Sequence, residues 1–441
     1  MSHNVFILGS GGREHALCLK LSKSIKVKAL YYSSGPLKDN LIPNPAMVDL
    51  AEYVSLDILD GADIVAFCKN KAIDLVVIGP EAPAAAGIAD ILTKNNISVF
   101  GPTQAAAQLE ASKAFTKDLC KEASIPTAAY HVYDDLQSAL EGLDNFSLPV
   151  VIKADGLASG KGVVIAHTKI EAEKTINDMF DGAFGIAGAK IVLEEFLSGE
   201  EASFFVLSDG ENIIPLTSAQ DHKAAYDGDK GPNTGGMGAY SPAPIMTDIM
   251  TEKVIETIIK PTLVKMQEKG TPFKGVLYAG LMIVEDQPYL IEYNVRFGDP
   301  ECQVIMERLT SDLFDLLYGA ATSLENVASP KWSEDYALTV VMASEGYPAQ
   351  PVTGQKIVLP DRLDEKVTIY HAGTSLLDKD IISTGGRVLN VTAYGKAVSE
   401  ACMLSYKTIS DIRFDQSFYR KDIGHRALTR EDSLDLKKAA I

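Results

Sequence analysis

Residues Ile291–Glu301 read IEYNVRFGDPE, and the rest of the chain is best understood outward from them. Tyr289, Leu290 and Ile291 lead in, so the segment reads as the end of a buried strand. Side chains alternate faces along a strand, which points Glu292 and Asn294 the same way. Arg296 follows on that face if the strand continues. A carboxylate and an amide oxygen beside a fixed cation suit Mg2+ carrying a polyphosphate, with an anionic substrate close by. The plain alternative is a strand end with solvated polar residues, and E-x-N alone does not decide between the two.

Upstream, Val150–Ala166 reads VVIKADGLASGKGVVIA, two β-rich runs around a loop of small residues. The pattern predicts a hairpin with Lys153 ending its first strand and Gly160 and Lys161 in its tip. A lysine beside a glycine-rich tip can cover a triphosphate. The order is not that of a P-loop, because Gly162 follows Lys161, and an exposed hairpin is the alternative. Glu194-Glu195-Phe196-Leu197 closes a further strand, whose end can meet a flat base, and a carboxylate a few residues on, Glu200 or Glu201, can hold ribose hydroxyls. Without context, a charged strand end is the better reading there. Strands at Lys190–Leu197, Ala202–Leu207 and Ile213–Thr217 are expected to be antiparallel, with a turn at Asp209-Gly210. Residues 219–243 read as a long polar loop with five glycines from Gly228 to Gly238, too long for a bland connector. His222 lies in it without metal-ligand spacing, and reads as a structural or substrate-bonding group.

At the N-terminus, Val5–Leu8 reads as a buried strand, Gly9–Gly12 as a turn and Arg13–Leu21 as a helix. Further strands at Val27–Tyr32, Leu75–Ile78 and Ile97–Phe100 imply a parallel sheet with helices on its faces. Ligands bind at the carboxyl ends of such strands. Two of those ends carry glycine: Gly9-Ser10-Gly11-Gly12 and Gly79-Pro80-Glu81. Glu14 stands where a dinucleotide fingerprint needs Gly or Ala, so the turn suits another phosphate, with Arg13 adding a fork; a plain tight turn is the alternative.

Elsewhere the patterns predict a helix over about Gln104–Ala123 containing Ser112 and Lys113. They also predict a hairpin Gly280–Val284/Pro288–Tyr293 turning at Glu285-Asp286-Gln287, and a helix over Pro300–Tyr318. Strands follow at Ala337–Ala343, Val367–His371 and Arg387–Ala393, with a late helix at about Lys396–Lys407. A break falls at Gly101-Pro102.

The 441 residues carry a formal net charge of −18, which argues against non-specific nucleic-acid binding. Five scattered cysteines, none in a C-x-x-C pair, suggest a reducing compartment without a zinc site. The first residues lack a basic n-region, and no apolar run is long enough to span a membrane. A cytoplasmic location is expected. No G-x-S-x-G elbow or cysteine nucleophile motif appears, so the chemistry is expected to rest on nucleotide, metal and charge.

GSGGREHAL, GPEAP, SKAFTK, KADGLASGKGV, EEFLSGEEASF, QDHK, GPNTGGMGAYSP and IEYNVRFGDPE occur in that order over residues 9–301. Together they resemble the ATP-grasp ligases and, more narrowly, the phosphoribosylamine–glycine ligase (glycinamide ribonucleotide synthetase) family. The resemblance implies an α/β chain with a Rossmann-like parallel-sheet domain over 1–103 and a two-part ATP-grasp domain over 104–325. A lid at about 124–190 and a β-rich domain over 326–441 complete it. It implies a purine-biosynthetic ligase using ATP and Mg2+ or Mn2+ to join glycine to 5-phosphoribosylamine through a glycyl phosphate, as a monomer or weak dimer. By position, Glu292 and Asn294 would ligate metal. Lys113, Lys153, Gly160 and Lys161 would hold phosphates, Glu194 and Leu197 the adenine, Glu201 the ribose, and Asn233 the nucleotide or metal region. Arg296, Asp221 and Lys153 would act in catalysis, with Asp221 on the glycine ammonium and Arg296 on its carboxylate. Gly11, Gly12, Arg13, Gly79, Pro80, Glu81 and Lys223 would complete the substrate sites. The family commonly has Arg after QDHK where this chain has Ala224, for which Lys223 or Lys230 could substitute. It often has an acid before the metal strand, where Gly275–Val284 has none. Other readings are a different ATP-grasp carboxylate-amine ligase, a carboxylase, or a nucleotide sensor on the same fold.

Overall fold

A computed structural model describes residues 2–37, 41–157, 162–183 and 188–431. The N-terminal sheet is parallel throughout, in the order Glu52–Tyr53, Val27–Ser33, His3–Leu8, Leu75–Ile78, Val99–Phe100. Its central runs Val5–Leu8 and Leu75–Ile78 are apolar and buried throughout because both faces are covered. Phe6, Leu8, Val76 and Ile78 enter one core, and Val5, Ile7, Leu75 and Val77 another.

The hairpin Val150–Ala154/Val163–Ala166 is antiparallel, and its tip lies outside the described residues. With Ile191–Glu195 and Tyr130–Tyr133 it makes a four-stranded sheet with a small core of its own. A second antiparallel sheet runs Ile213–Pro215, Glu200–Asp209, Lys274–Val284, Gln287–Asn294. Ile191–Glu195 and Glu200–Asp209, expected as one antiparallel run, therefore belong to different sheets. The last hairpin turns at Glu285 and Asp286, both with positive φ (47° and 61°), which suits the twist of paired strands.

Three expectations need correction. The helix over 104–123 is broken: Gln108–Ala111 and Lys113–Glu122 are separate, and Ser112 between them is extended. Its Oγ accepts from Phe115 N, an N-cap, and donates to Asp155. The helix over 300–318 is also two, Glu301–Arg308 and Leu313–Ala321, because Asp312 caps the second through Phe314 N. Residues 219–243 are not only loop. Gln220–Asp221 pairs with Gly238–Ser241, which pairs with Tyr336–Ser344. They form the edge of the C-terminal sheet, which continues through Arg387–Gly395 and Val367–His371. The glycine-rich segment is thereby fixed to the β-rich domain.

Candidate active site

One cavity of about 610 Å3 is walled by all four of these sheets or the turns that follow their strands. On its floor, Glu292 and Asn294 share a face of strand Gln287–Asn294. Glu292 lies opposite Gly280, where a Cβ would stand 3.3 Å from its Cγ. The strand stops at Asn294, yet Arg296 still reaches back, its Nη2 donating to Asn294 Oδ1 at 3.1 Å. Burial pushes the Glu292 carboxyl up, but Lys223, Lys153, Lys113 and Arg296 outweigh it and hold the group below its ordinary value. It is therefore ionised, as a metal ligand must be.

Above the floor, the break at Ser112 puts Lys113 on the first turn of its helix, with Nζ donating to Gly156 O at 3.0 Å. Lys153 reaches Ile291 O at 3.1 Å and Glu194 Oε1 at 2.9 Å. Glu194 Oε2 also meets Lys117 at 3.0 Å, so one buried carboxylate serves two lysines. Its side chain is committed to them rather than to a base. The strand end 195–197 lines the cavity beside it. Gly160 and Lys161 lie outside the described residues.

On the third wall, Lys223 Nζ sits 3.4 Å from Glu201 Oε2 and 3.6 Å from Glu292 Oε1. Burial, opposed by Lys223 and reinforced by Glu301, Glu201 and Glu292, pushes Asp221 up to about 8. Asn233 lines the cavity and pairs in the ladder with Ala224. His222, between these two site residues, turns away from the chemistry. Burial, with Arg420, Arg426 and His425, lowers it to about 3, and its Nε2 accepts from Gly424 N at 3.2 Å. Arg420, which is 1% exposed, donates to Ala224 O. Position 224 is thus braced through its carbonyl from the C-terminal segment, while its neighbour Lys223 lines the cavity.

The N-terminal wall differs most from expectation. Pro80 and Glu81 line the cavity, but Gly12 and Gly79 do not. A Cβ at Gly12 would strike Asn390 and Gln303 at 2.5 and 2.6 Å, so this glycine permits close domain packing. A Cβ at Gly79 would lie 2.2 Å from Glu14 Oε1, so that glycine makes room for Glu14. Gly11 lines the cavity, with its N–H donating to Glu14 Oε2 at 2.7 Å. Arg13 gives Nε to Glu14 Oε1 and Nη1 to Phe297 O, so its fork is already engaged. Arg296 is braced by Glu110 at 2.9 Å and Glu81 at 3.3 Å.

Lys117, Glu110, Glu301 and Arg387 also line the cavity, and sequence reasoning assigned none of them. Lys117 had a signal: it stands four residues after Lys113, on the same helix face. The other three are brought in only by tertiary structure. Among the described residues no group of three or more His, Cys, Asp or Glu could hold a metal ion. The Glu292–Asn294 pair offers a carboxylate and an amide oxygen on one face. That suits Mg2+, which takes one or two protein oxygens and completes its shell with phosphate and water.

A small lysine-bearing sheet set over a second sheet that ends in an acid–amide pair is the arrangement of an ATP-grasp enzyme. The comparisons narrow it. Sequence models described as "Phosphoribosylglycinamide synthetase, N domain", "ATP-grasp (A) domain" and "C domain" match residues 3–110, 111–302 and 337–426. The chain belongs to the phosphoribosylglycinamide synthetase family. It is 52% identical over 427 residues to phosphoribosylamine–glycine ligase of Agrobacterium fabrum, covering 97% of this chain and 99% of that one. The Vibrio parahaemolyticus ligase is 48% identical over 430 residues, with the same coverage. The crystal structure of the Thermotoga maritima ligase superposes with a TM-score of 0.82 at 32% identity, covering 95% of this chain and all of that one. The biotin carboxylase domain of a Hydrogenobacter thermophilus 2-oxoglutarate carboxylase, solved with MgADP, gives 0.74 at 17% identity over 95% and 92% of the chains; at that identity it shows the shared fold.

Proposed function

We propose that this chain is an ADP-forming ligase that joins glycine to 5-phosphoribosylamine, giving glycinamide ribonucleotide and phosphate in purine biosynthesis. The observation that carries the reading is the single cavity in which phosphate-binding lysines, the Glu292–Asn294 pair, Asp221 and the N-terminal Glu81 all meet. Relatives of near-equal length and about half identity bear that ligase name.

In this reading Lys113 and Lys153 bind the phosphates of ATP, and Leu197 and the backbone beside it meet the adenine. Glu201 takes the ribose, and Asn233 lies toward the phosphates. Glu292 and Asn294 would hold Mg2+, which would supply charge neutralisation to the phosphates. Asp221 receives the glycine ammonium. Arg296, steadied by Glu110 and Glu81, faces the glycine carboxylate. The γ-phosphoryl group passes to a carboxylate oxygen and ADP leaves. The substrate amine then attacks the acyl carbon, and the carbon–oxygen bond to phosphate breaks. A carboxylate is a poor acyl donor until one oxygen becomes such a leaving group. The protein contributes position and charge. Glu81 and Gly11 border the ribosylamine. The domain limits 1–103, 104–325 and 326–441, a monomer or weak dimer, and a cytoplasmic site of action accompany this reading.

The test is incubation with ATP, Mg2+ and phosphoribosylamine, with and without glycine. ADP release that ignores glycine, or that requires bicarbonate, overturns the assignment. Glycine labelled with oxygen-18 in its carboxylate must pass label to phosphate; unlabelled phosphate rules out the glycyl phosphate.

A further inference from the structure

The ribosylamine substrate carries a phosphate, and the N-terminus of helix Gly12–Ser22 is where a glycine turn would ordinarily hold it. Two protein carboxylates already occupy that place. Gly11 N–H donates to Glu14 Oε2 at 2.7 Å, and Arg13 N–H donates to Asp299 Oδ2 at 3.2 Å. Glu14 is 2% exposed and tied to Arg13 Nε at 2.7 Å. The missing side chains of Gly9 and Gly79 leave its space, since a Cβ at either would lie within 2.7 Å of it. Glu14 is thus built into the turn, and a dianion placed there would meet two like charges at contact distance.

The cations along the cavity can be sorted by what they already hold. Arg13 is tied to Glu14 and Phe297 O. Arg296 lies between Glu110 and Glu81, and Lys117 and Lys153 share Glu194. Lys223 stands between Glu201 and Glu292, and Lys113 donates to Gly156 O. Arg387 is different. It opens the C-terminal strand Arg387–Gly395, with its side chain 21% exposed in the cavity. Its Nη1 donates to Gly235 O at 2.7 Å, to Gly236 O at 3.3 Å and to the Asp299 carbonyl. Asp299 Oδ1 is 3.6 Å away and already accepts from Gln303 Nε2 at 3.1 Å. Neutral carbonyls therefore fix one end of the guanidinium. The edge bearing Nε and Nη2 has no hydrogen-bond acceptor among the described residues. A Cβ at Gly235 would strike Arg387 Cζ at 2.9 Å, so the glycine-rich segment is cut to admit this side chain.

We propose that the Nε–Nη2 edge of Arg387 binds the phosphate of the ribosylamine, so that the C-terminal domain anchors this substrate and the glycine turn does not. The planar fork matches two phosphate oxygens. Asp299 joins Arg387 to the turn, because its Oδ2 lies 3.7 Å from where a Gly11 Cβ would stand. The sugar can then run from Arg387 toward Glu81 and the glycine site. This inference rests on the ligase reading above.

The experiment compares binding of ribose 5-phosphate and of ribose to the wild type, Arg387→Gln and Arg387→Lys by calorimetry, with steady-state kinetics alongside. Arg387→Gln should weaken ribose 5-phosphate about tenfold or more while ribose binding stays within about twofold. Its KM for phosphoribosylamine should rise by a similar factor with the KM for ATP and glycine little changed. Arg387→Lys, which keeps the charge and loses the fork, should fall between, and it serves if the glutamine variant does not fold. Three outcomes overturn the proposal: ribose 5-phosphate binding unchanged in both variants, equal loss of both sugars, or no binding to the wild type at millimolar concentration. A wild type that makes no glycinamide ribonucleotide refutes the ligase reading; one that makes it, with variants unaffected, refutes only the role of Arg387.

Discussion

Replacing Glu194 by Gln removes the one anion between two buried lysines, and the charge that remains sets the size of the effect. Glu194 stands 3.0 Å from Lys117 and 2.9 Å from Lys153, and all three side chains are 3–4% exposed. At an effective dielectric of 20, unit charges about 3 Å apart attract by roughly 5 kcal/mol, most of it offset by desolvation. The intact trio is therefore worth little net. Glu194→Gln is not, because it leaves two buried ammonium groups uncompensated, which costs about 3–5 kcal/mol. Lys117→Met leaves a one-to-one pair and should cost about 1–2 kcal/mol. Thermal unfolding followed by circular dichroism should show the midpoint of the unit containing this trio falling by roughly 6–20 °C in Glu194→Gln. The fall in Lys117→Met should be several-fold smaller. Saturating ATP with Mg2+ brings a polyanion to the same lysines, so it should raise the midpoint further in Glu194→Gln than in the wild type. Equal losses in the two variants, or equal rescue by ATP in variant and wild type, would refute the charge argument.

Glu292→Ala should lower kcat by about a thousandfold or more while the unfolding midpoint holds; near-normal kcat would remove Glu292 from the metal site. Asp221, raised to about 8, must ionise to hold the glycine ammonium. Apparent affinity for glycine should therefore climb with pH and level off above about 8, and Asp221→Asn should flatten the profile. The stability sign is opposite: with a folded value well above the ordinary carboxylate range, Asp221 favours the fold at low pH. That contribution fades as pH rises toward 8, by up to about 1.4 kcal/mol per pH unit. A slope unchanged in Asp221→Asn would contradict the raised value. Gly79→Ala should cost about 1–3 kcal/mol, because its Cβ needs the space of the Glu14 carboxylate; an unaltered midpoint in a thermal melt would mean Glu14 can move aside.

What the sequence made legible is local. The apolar run 289–291 and the alternation through Asn294 located the strand that carries Glu292 and Asn294 into the cavity. The parallel sheet followed from short apolar runs ending in glycine. What stayed hidden depends on partners far along the chain. Nothing near Ser112 announces that Asp155, 43 residues on, holds it extended and so splits a helical pattern. The edge strand Gln220–Asp221 belongs to a sheet completed more than a hundred residues later. Gly12 and Gly79 looked like ligand glycines because close approach to a ligand and close approach to a neighbouring side chain leave the same mark on a sequence. Arg387 sits in a strand whose pattern says only that one face is buried.

Acidic overall, the chain still gathers lysines and arginines in this cleft among its carboxylates, and what keeps them charged is where those counter-charges sit. A buried lysine with no anion nearby tends to lose its proton. Burial does lower Lys113 and Lys117, but Glu292 pushes back on the first and Glu194 on the second. Arg296 is held against burial by Glu110, Glu81 and Glu301. Each cation thus keeps a protein anion as its neighbour before any substrate arrives. Because Glu194 and Glu110 are themselves buried, they stay in place when phosphate or carboxylate enters, so the cations need not reorganise around the incoming charge. Lys223 meets the metal pair directly, since one of its two partners is the proposed metal ligand Glu292. A metal ion entering there competes with Lys223 directly and leaves it Glu201 and Asp221. Turning the lysine toward Asp221 favours the ionised acid, which is the form that binds an ammonium group. On this argument the metal pair and the glycine site are coupled through one side chain, and the pH profile for glycine should shift downward when Mg2+ and ATP are saturating.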